Sequence, residues 1–373
     1  MQKYFDNAAT TLISEKALEA YNHTVLNYFG NPSANYSLGS KANDKLEESR
    51  EKIASLLKVN PNFIYFTSGG TEANSIILSS LLWSKNPGEV IISKTEHSSI
   101  LNFEKILIEK GFKVITLNAP GGFLSSEILK ANLTNKTRMV FTQAVNNVTG
   151  AINDLNSLVQ VVREKEKEIG RKIYFHTDAV QALTKIDFDL TSLDVDSASF
   201  AAHKFHGPRG IGFLYCKTNN VQSLSRGGGQ EKGIRPGTEN LGAIVAMTVA
   251  LEESLKKDNK NVLKINKYVR ENLKPTILSP TQNCSPFIIN FSIDSFPSEV
   301  FTRMLDDEGF VVSAGSACSN NVKVKGQNVL IAMNIKPEIA KSSIRISFNK
   351  DTELKDVKLL VKKINSLYDT LVR

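Results

Sequence analysis

Cysteine is scarce in this chain. There are three in 373 residues (Cys216, Cys284 and Cys318), and no two lie close together. That excludes a disulfide-stapled scaffold and a paired-cysteine metal site. An odd, sparse set suits a reducing cytoplasm, where a thiol is kept for its reactivity. The chain also has no run near the ~18 uninterrupted apolar residues of a membrane span. Its opening, MQKYFDNAATT, has no basic-then-apolar leader pattern. A cytoplasmic protein with no membrane partner is therefore expected. The net charge is +8, but the lysines are dispersed. KEKEIGRK and KKDNKN read as solvated helix ends, and no basic stripe interleaved with aromatics argues for direct nucleic-acid binding. Repeats and low-complexity stretches are absent too. What remains is an ordinary globular composition, 41% apolar and 23% charged, on a chain long enough for one large domain and a smaller one.

The pattern along the chain alternates. Ser14 caps a helix running to about Tyr28, and Gly30 closes it. GNPSANYSLGS (30–40) is a loop, and helix signals resume to about Lys58. Strands are expected at 62–67, 90–92, 113–117, 139–144, 173–175 and 211–215. Helices are expected at 72–84, 98–111 and 155–168, and again from 241 to 257. This rhythm predicts a doubly wound, mostly parallel sheet. Four motifs fall at carboxyl ends of strands, where ligands of such sheets sit. They are SGGT (68–71), TEHSS (95–99), NNVTG (146–150) and HTDAVQ (176–181). Beyond 257 the pattern is mixed, with strands at 287–293 and 344–348, helices at 298–308 and 353–371, and a loop at 313–326. Residues 15–257 are read as a large domain. Residues 1–14 and 258–373 form a small one that carries the loop.

Lys204 organises this arrangement. It ends a buried strand in SASFAAHKFHGPRGIGFLY, just before a glycine-bounded turn. A lysine is rarely buried unless paired or chemically used. Desolvation favours its neutral, nucleophilic form, as an imine-forming lysine requires. Asp178 lies just past another apolar strand, where a carboxylate can serve as a helix N-cap. Arg345 sits within the apolar SSIRISF, where a planar fork suits a carboxylate. Cys318 lies among Gly, Ser and Ala in a polar segment with few apolar anchors, an unusual setting for a structural cysteine.

Taken in order from YFDNAATT to SIRISF, these motifs resemble the NifS-like cysteine desulfurases, class V members of the fold-type I enzymes that use pyridoxal 5′-phosphate (PLP). The resemblance implies a large domain with a mostly parallel seven-stranded sheet flanked by helices, and a smaller α+β domain. It implies that Lys204 anchors PLP as an imine, Asp178 faces the pyridine nitrogen and Gln181 the ring phenol oxygen. His97 would stack on the ring and shuttle protons, and Asn147 would contact both cofactor and substrate. Gly70, Thr71 and His203 would hold the phosphate, with Thr238 reaching the phosphate of a second subunit in a homodimer. Arg345 would clamp the carboxylate of L-cysteine. Cys318 would accept its sulfur as a persulfide and pass it to an acceptor protein, for iron–sulfur clusters, thio-cofactors or tRNA thiolation, leaving L-alanine. No metal is implied. Four positions depart from the family pattern: Tyr36, Val148 and Gln230 stand for His, Glu and His, and Ala201 stands for a phosphate-binding Ser. The last removes one charge-assisted hydrogen bond, about 1.5–3 kcal/mol at most. An aminotransferase, a selenocysteine lyase or a binding protein without activity are the alternative readings.

Overall fold

The computed structural model describes residues 2–218, 221–293, 296–314 and 329–371. Cys318 and most of the 313–326 segment lie outside the described residues. The first strand, β1 (Lys3–Tyr4), belongs to the smaller half. The large sheet follows with β2 (Ile64–Thr67), β3 (Glu89–Ser93), β4 (Lys113–Leu117), β5 (Thr137–Phe141), β6 (Tyr174–Asp178), β7 (Ser197–Ala201) and β8 (Gly212–Cys216). Their order is β2-β8-β7-β6-β5-β3-β4. Only β8 breaks the parallel direction, running antiparallel to both β2 and β7.

Every residue of β2, β3, β7 and β8 is buried, as expected for strands covered on both faces. The alternation of side chains divides the apolar residues between two layers. Ile64, Phe66, Ile91, Val140, Phe175, Phe200 and Phe213 form one core with the helices Ser37–Leu57, Leu155–Ile169 and Leu241–Lys256. Tyr65, Val90, Ile92, Met139, Phe141 and Leu214 form the other with the helix Gly70–Leu81. Phe200 and Phe213 stack with ring centroids 4.4 Å apart.

A third core belongs to the remaining strands, β9 (Thr276–Ile277), β10 (Ile288–Ser292), β11 (Phe310–Val311), β12 (Ser313–Ala314) and β13 (Ser343–Ser347). β12, β13, β10 and β9 make an antiparallel sheet, and β1 pairs in parallel with β11. Phe5 and Ala8 from the first residues are buried in this core with Ile265, Phe291, Phe301, Ile346 and Leu360.

The differences from the expected elements are local. The helix expected over 98–111 is two pieces, Ser98–Leu101 and Glu104–Glu109. The chain tightens there, with Phe103 N bonded to Ile100 O, a spacing of three, and Phe103 packs on the second core. The strand expected to reach 144 ends at Phe141. Past that point Thr142 N and Ala144 N still bond to β6 carbonyls, while Gln143 bonds instead to Thr95 and Glu96. The helix Lys260–Asn272 was not expected. Its Val262, Ile265 and Val269 are buried, the i, i+3, i+7 pattern of one helix face. No helix among the described residues is long and apolar enough to cross a membrane.

Candidate active site

Lys204 and Asp178 stand at the carboxyl ends of neighbouring parallel strands, β7 and β6. Lys204 Nζ donates to the carbonyls of Ala8 and Ala9, at 2.8 and 2.6 Å. Gln181 Nε2 donates to the same Ala8 carbonyl at 2.8 Å. The first residues of the chain therefore form a wall beside the lysine. Asp178 is buried. Its Oδ1 accepts from Val180 N and its Oδ2 from Asn74 Nδ2, at 3.0 and 2.8 Å. Asp178 thus caps its turn and also fixes a carboxylate at the strand end.

His97 caps the helix Ser98–Leu101 through its ring: Nδ1 accepts from Ser99 N at 3.2 Å. The neutral ring then carries its proton on Nε2. Burial lowers its pKa; Asp178 opposes this shift and Lys204 adds to it. Both strand-end charges are therefore within electrostatic reach of His97. Glu96 is fully buried beside them. Burial, and then Asp178, hold its carboxyl well above the usual range. Its Oε2 has no partner among the described residues.

Arg345 lies on β13, opposite Asn290 and Ser313. It is 5% exposed. Nη2 donates to Asp6 Oδ1 at 2.7 Å and Nη1 to the Asn147 carbonyl at 2.8 Å. Nε and both side-chain atoms of Asn290 have no hydrogen-bond partner among the described residues. A buried guanidinium with an unused donor is chemically suited to a carboxylate. The NNVTG turn is closed by Asn146, whose Oδ1 accepts from Val148 N and Thr149 N. That leaves Asn147 to present its carbonyl to the arginine. Val148 packs on Val329, Leu330, Met333 and Ala340, which accounts for an apolar residue there.

At the carboxyl end of β2 the chain turns through Gly69, whose φ of 148° favours glycine, into the helix Gly70–Leu81. A Cβ on Gly70 would lie 2.5 Å from Val180 Cγ2 and 3.9 Å from Ala201 Cβ. Gly70, Ala201 and the turn after Asp178 therefore meet. The first-turn amides of Gly70 and Thr71 have no intrahelical acceptor and carry the positive end of the helix dipole. His203 Nδ1 lies 3.2 Å from Thr10 Oγ1. Burial, then Lys204, Lys185 and Arg209, lower His203 to about 4, so its ring is neutral. Thr71 and Thr238 are exposed. Tyr36 is exposed as well, while Gln230 Oε1 accepts from Gly237 N at 3.1 Å.

Lys204 and Gln181 thus meet at the Ala8 carbonyl, His203 lies beside Thr10, His97 is in electrostatic reach of Lys204 and Asp178, and Arg345 bonds both to Asp6 and to the Asn147 carbonyl. Thr238 is not part of this group within one chain, and Cys318 lies outside the described residues. Several participants were not singled out from the sequence. Asn74 is fully buried and bridges Asp178 to His176, whose Nε2 lies 2.9 Å from Asn74 Oδ1. The signal was available: His176 and Asp178 are two apart on one strand, hence on one face. Lys185 donates to Gln181 Oε1, and nothing local in QALTKID marks it as buried. Among the described residues no group of His, Cys, Asp and Glu could hold a metal ion.

The profile of the class-V aminotransferases matches residues 3–360. A NifS/IcsS protein homolog of Lactobacillus delbrueckii subsp. bulgaricus is 38% identical, over 98% of this chain and 97% of its own length. The cysteine desulfurase IscS of Clostridium botulinum is 34% identical, over 94% of this chain and 91% of its own. A solved NifS-like protein superposes with a TM-score of 0.91 at 33% identity, covering 99% of this chain and all of that one.

Proposed function

This chain belongs to the class-V aminotransferase family, and from that membership we propose that it is a cysteine desulfurase, with PLP as cofactor, converting L-cysteine to L-alanine and transferring the sulfur to one of its own thiols. The observation that carries the reading is the pairing of Lys204 with Asp178 at adjacent strand ends, with His97 in electrostatic reach of both. The residues present fit the cofactor. Lys204 is the amine that anchors it, Asp178 the carboxylate for its ring nitrogen, and Gln181 an amide for its ring oxygen. Gly70, Thr71 and His203 supply donors at a helix start for its phosphate. When bound, PLP supplies an electron sink that weakens bonds at the substrate Cα and, one atom on, its C–S bond.

The chain's own groups do the rest. Arg345, with Asn147 beside it, binds and orients the substrate carboxylate. Lys204 Nζ takes the proton from Cα. The neutral His97, with its proton on Nε2, is placed to exchange protons over the same centre. Cys318 is the acceptor by resemblance. Its thiolate bonds to the substrate sulfur as the Cβ–S bond breaks, and protonation at Cβ followed by return of a proton to Cα completes alanine. The persulfide sulfur then passes from Cys318 to a sulfur-acceptor protein. The exposed apolar residues Leu12, Leu26 and Phe29, at 80%, 73% and 71%, support a homodimer in which Thr238 serves the neighbouring site. A cytoplasmic setting is consistent with this thiol chemistry.

The test is direct. Purified protein with PLP, L-cysteine and dithiothreitol is expected to form alanine and sulfide without any keto acid. Lys204→Ala is expected to lose the visible imine absorbance and to slow turnover roughly 10²- to 10⁴-fold. Cys318→Ala is expected to stop sulfide release. Full sulfide release by the Cys318 variant, or a strict need for a keto acid, would point to another class V reaction.

A further inference from the structure

Lys185 is 6% exposed. Among the described residues, none of its hydrogen bonds or ion pairs is to a carboxylate. Its amine donates to Gln181 Oε1. The charged or titratable groups it interacts with are Lys204, Arg345, His203 and His206. Burial, then Lys204 and Arg345, hold its ammonium well below the usual lysine range. Such a residue works against stability, because an amine without a counter-charge is costly to bury. The backbone adds to the cost, since Thr184, a β-branched residue, takes φ 69° just before it. Features that oppose the fold locally are expected where function demands them.

What the lysine fixes is the orientation of one amide. The Ala8 carbonyl only accepts, so the Gln181 atom 2.8 Å from it is nitrogen. The same carbonyl takes Lys204 Nζ. A donor on Gln181 Oε1 keeps the amide from turning over. We propose that Lys185 is a positioning residue: by donating to Gln181 Oε1 it commits the Gln181 amide nitrogen to the Lys204 side of the pocket, where that nitrogen serves as a donor to the cofactor ring oxygen. This rests on the PLP reading of the site. Without Lys185 only the Ala8 carbonyl opposes the flipped amide, in which a carbonyl oxygen would face both Ala8 O and the ring oxygen, so the donor to the ring oxygen is held less firmly.

The experiment reloads parent, Lys185→Met, Gln181→Leu and the double variant with PLP. The pH midpoint of the visible band is then followed, together with Tm. A donor to the ring oxygen favours its deprotonated form, so losing that donor raises the midpoint. Lys185→Met is expected to raise it by about 0.5 to 1 pH unit, the equivalent of one net hydrogen bond, with a Tm at pH 7 equal to or above the parent's. Gln181→Leu is expected to give a similar rise, and the double variant no more than either alone. A parent-like midpoint in Lys185→Met, or shifts that add in the double variant, overturns the proposal. Should Lys185→Met fail to fold, Lys185→Gln takes its place under the same criteria. A parent that takes up no PLP sinks the cofactor reading as well, which separates the two failures.

Discussion

His176 is fully buried and holds Asn74, which in turn holds Asp178. Burial lowers its pKa to about 3, and His203 is lowered to about 4. Both lie below the ~6.5 of an unfolded histidine, so below that pH the unfolded chain binds more protons than the folded one. Their contribution to stability is therefore complete above about pH 6.5. It is lost as pH falls through the two folded values, each group adding a slope of up to about 1.4 kcal/mol per pH unit. Urea unfolding between pH 7 and 4 is expected to show this loss, and His176→Gln to flatten it. A variant with the parent's slope would show that His176 does not titrate on unfolding. At this scale the sequence was informative where chemistry and strand position coincide. Lys204, Asp178 and Arg345 were legible because a charged residue at the end of, or within, an apolar strand needs a reason. Asn74 and Lys185 were not, because an asparagine on a helix and a lysine after a turn usually face water.

A buried ion pair anchors the segment from Gly227 to Asn240. Arg50, on the helix Ser37–Leu57, meets Glu231 through both terminal nitrogens at 2.8 Å, and donates to Ile64 O at the start of β2. Glu231 also accepts from Phe66 N. The two side chains are 8% and 1% exposed. Burial opposes the Arg50 charge, but Glu231 and then Glu47 outweigh it and raise the pKa. Glu231 and Lys232 are at φ 47° and 55°, so the segment is held in a conformation that the pair must maintain. Glu231→Ala is expected to cost about 1–3 kcal/mol, because it removes the buried partner of Arg50 and leaves only the more exposed Glu47. Urea unfolding measures that cost, and a loss below 1 kcal/mol would remove the anchor role. The segment carries Thr238, so cofactor retention is expected to weaken in parallel. Elements like this were only partly legible. Glycines 227–229 and 233 marked a turn-rich stretch, but not the residue that pins it. In the smaller half, β9, β11 and β12 are two residues each, too short for any period to appear. The helix Lys260–Asn272 was obscured by the charged KKDNKN run before it.

Taken whole, the chain leaves an apolar face uncovered. Leu18, Val25 and Leu26 are exposed on the helix Glu15–Asn27, with Leu12, Phe29, Tyr36 and Leu38 nearby in the chain. A patch of this kind on one subunit is suited to a second copy. Light scattering is expected to give about twice 41.2 kDa. Leu26→Glu with Phe29→Asp is expected to lower the mass toward one chain and to reduce PLP retention, since Thr238 would then lose its target. A variant that stays dimeric would move the interface elsewhere. The layered sheet itself was readable from alternation alone, because β–α rhythm and buried strands are local signals. Residues 1–14 were assigned to the small domain, but nothing in YFDNAATT names the residues near the other terminus that it joins.

That joining governs when the protein can be finished. Ala8 N bonds to Ser347 Oγ across 339 residues, Ser347 N to Phe5 O, and Arg345 to Asp6. A ribosome adding about 5–20 residues per second leaves the leading segment without these contacts for roughly 20 to 70 seconds. The large sheet can assemble meanwhile, and residues 8–14 can already meet Gln181, Lys204 and His203, but their anchor in the smaller sheet is missing. The segment beside Lys204 is therefore fastened on both sides, to Lys204 and to Ser347, only after position 347 has been added.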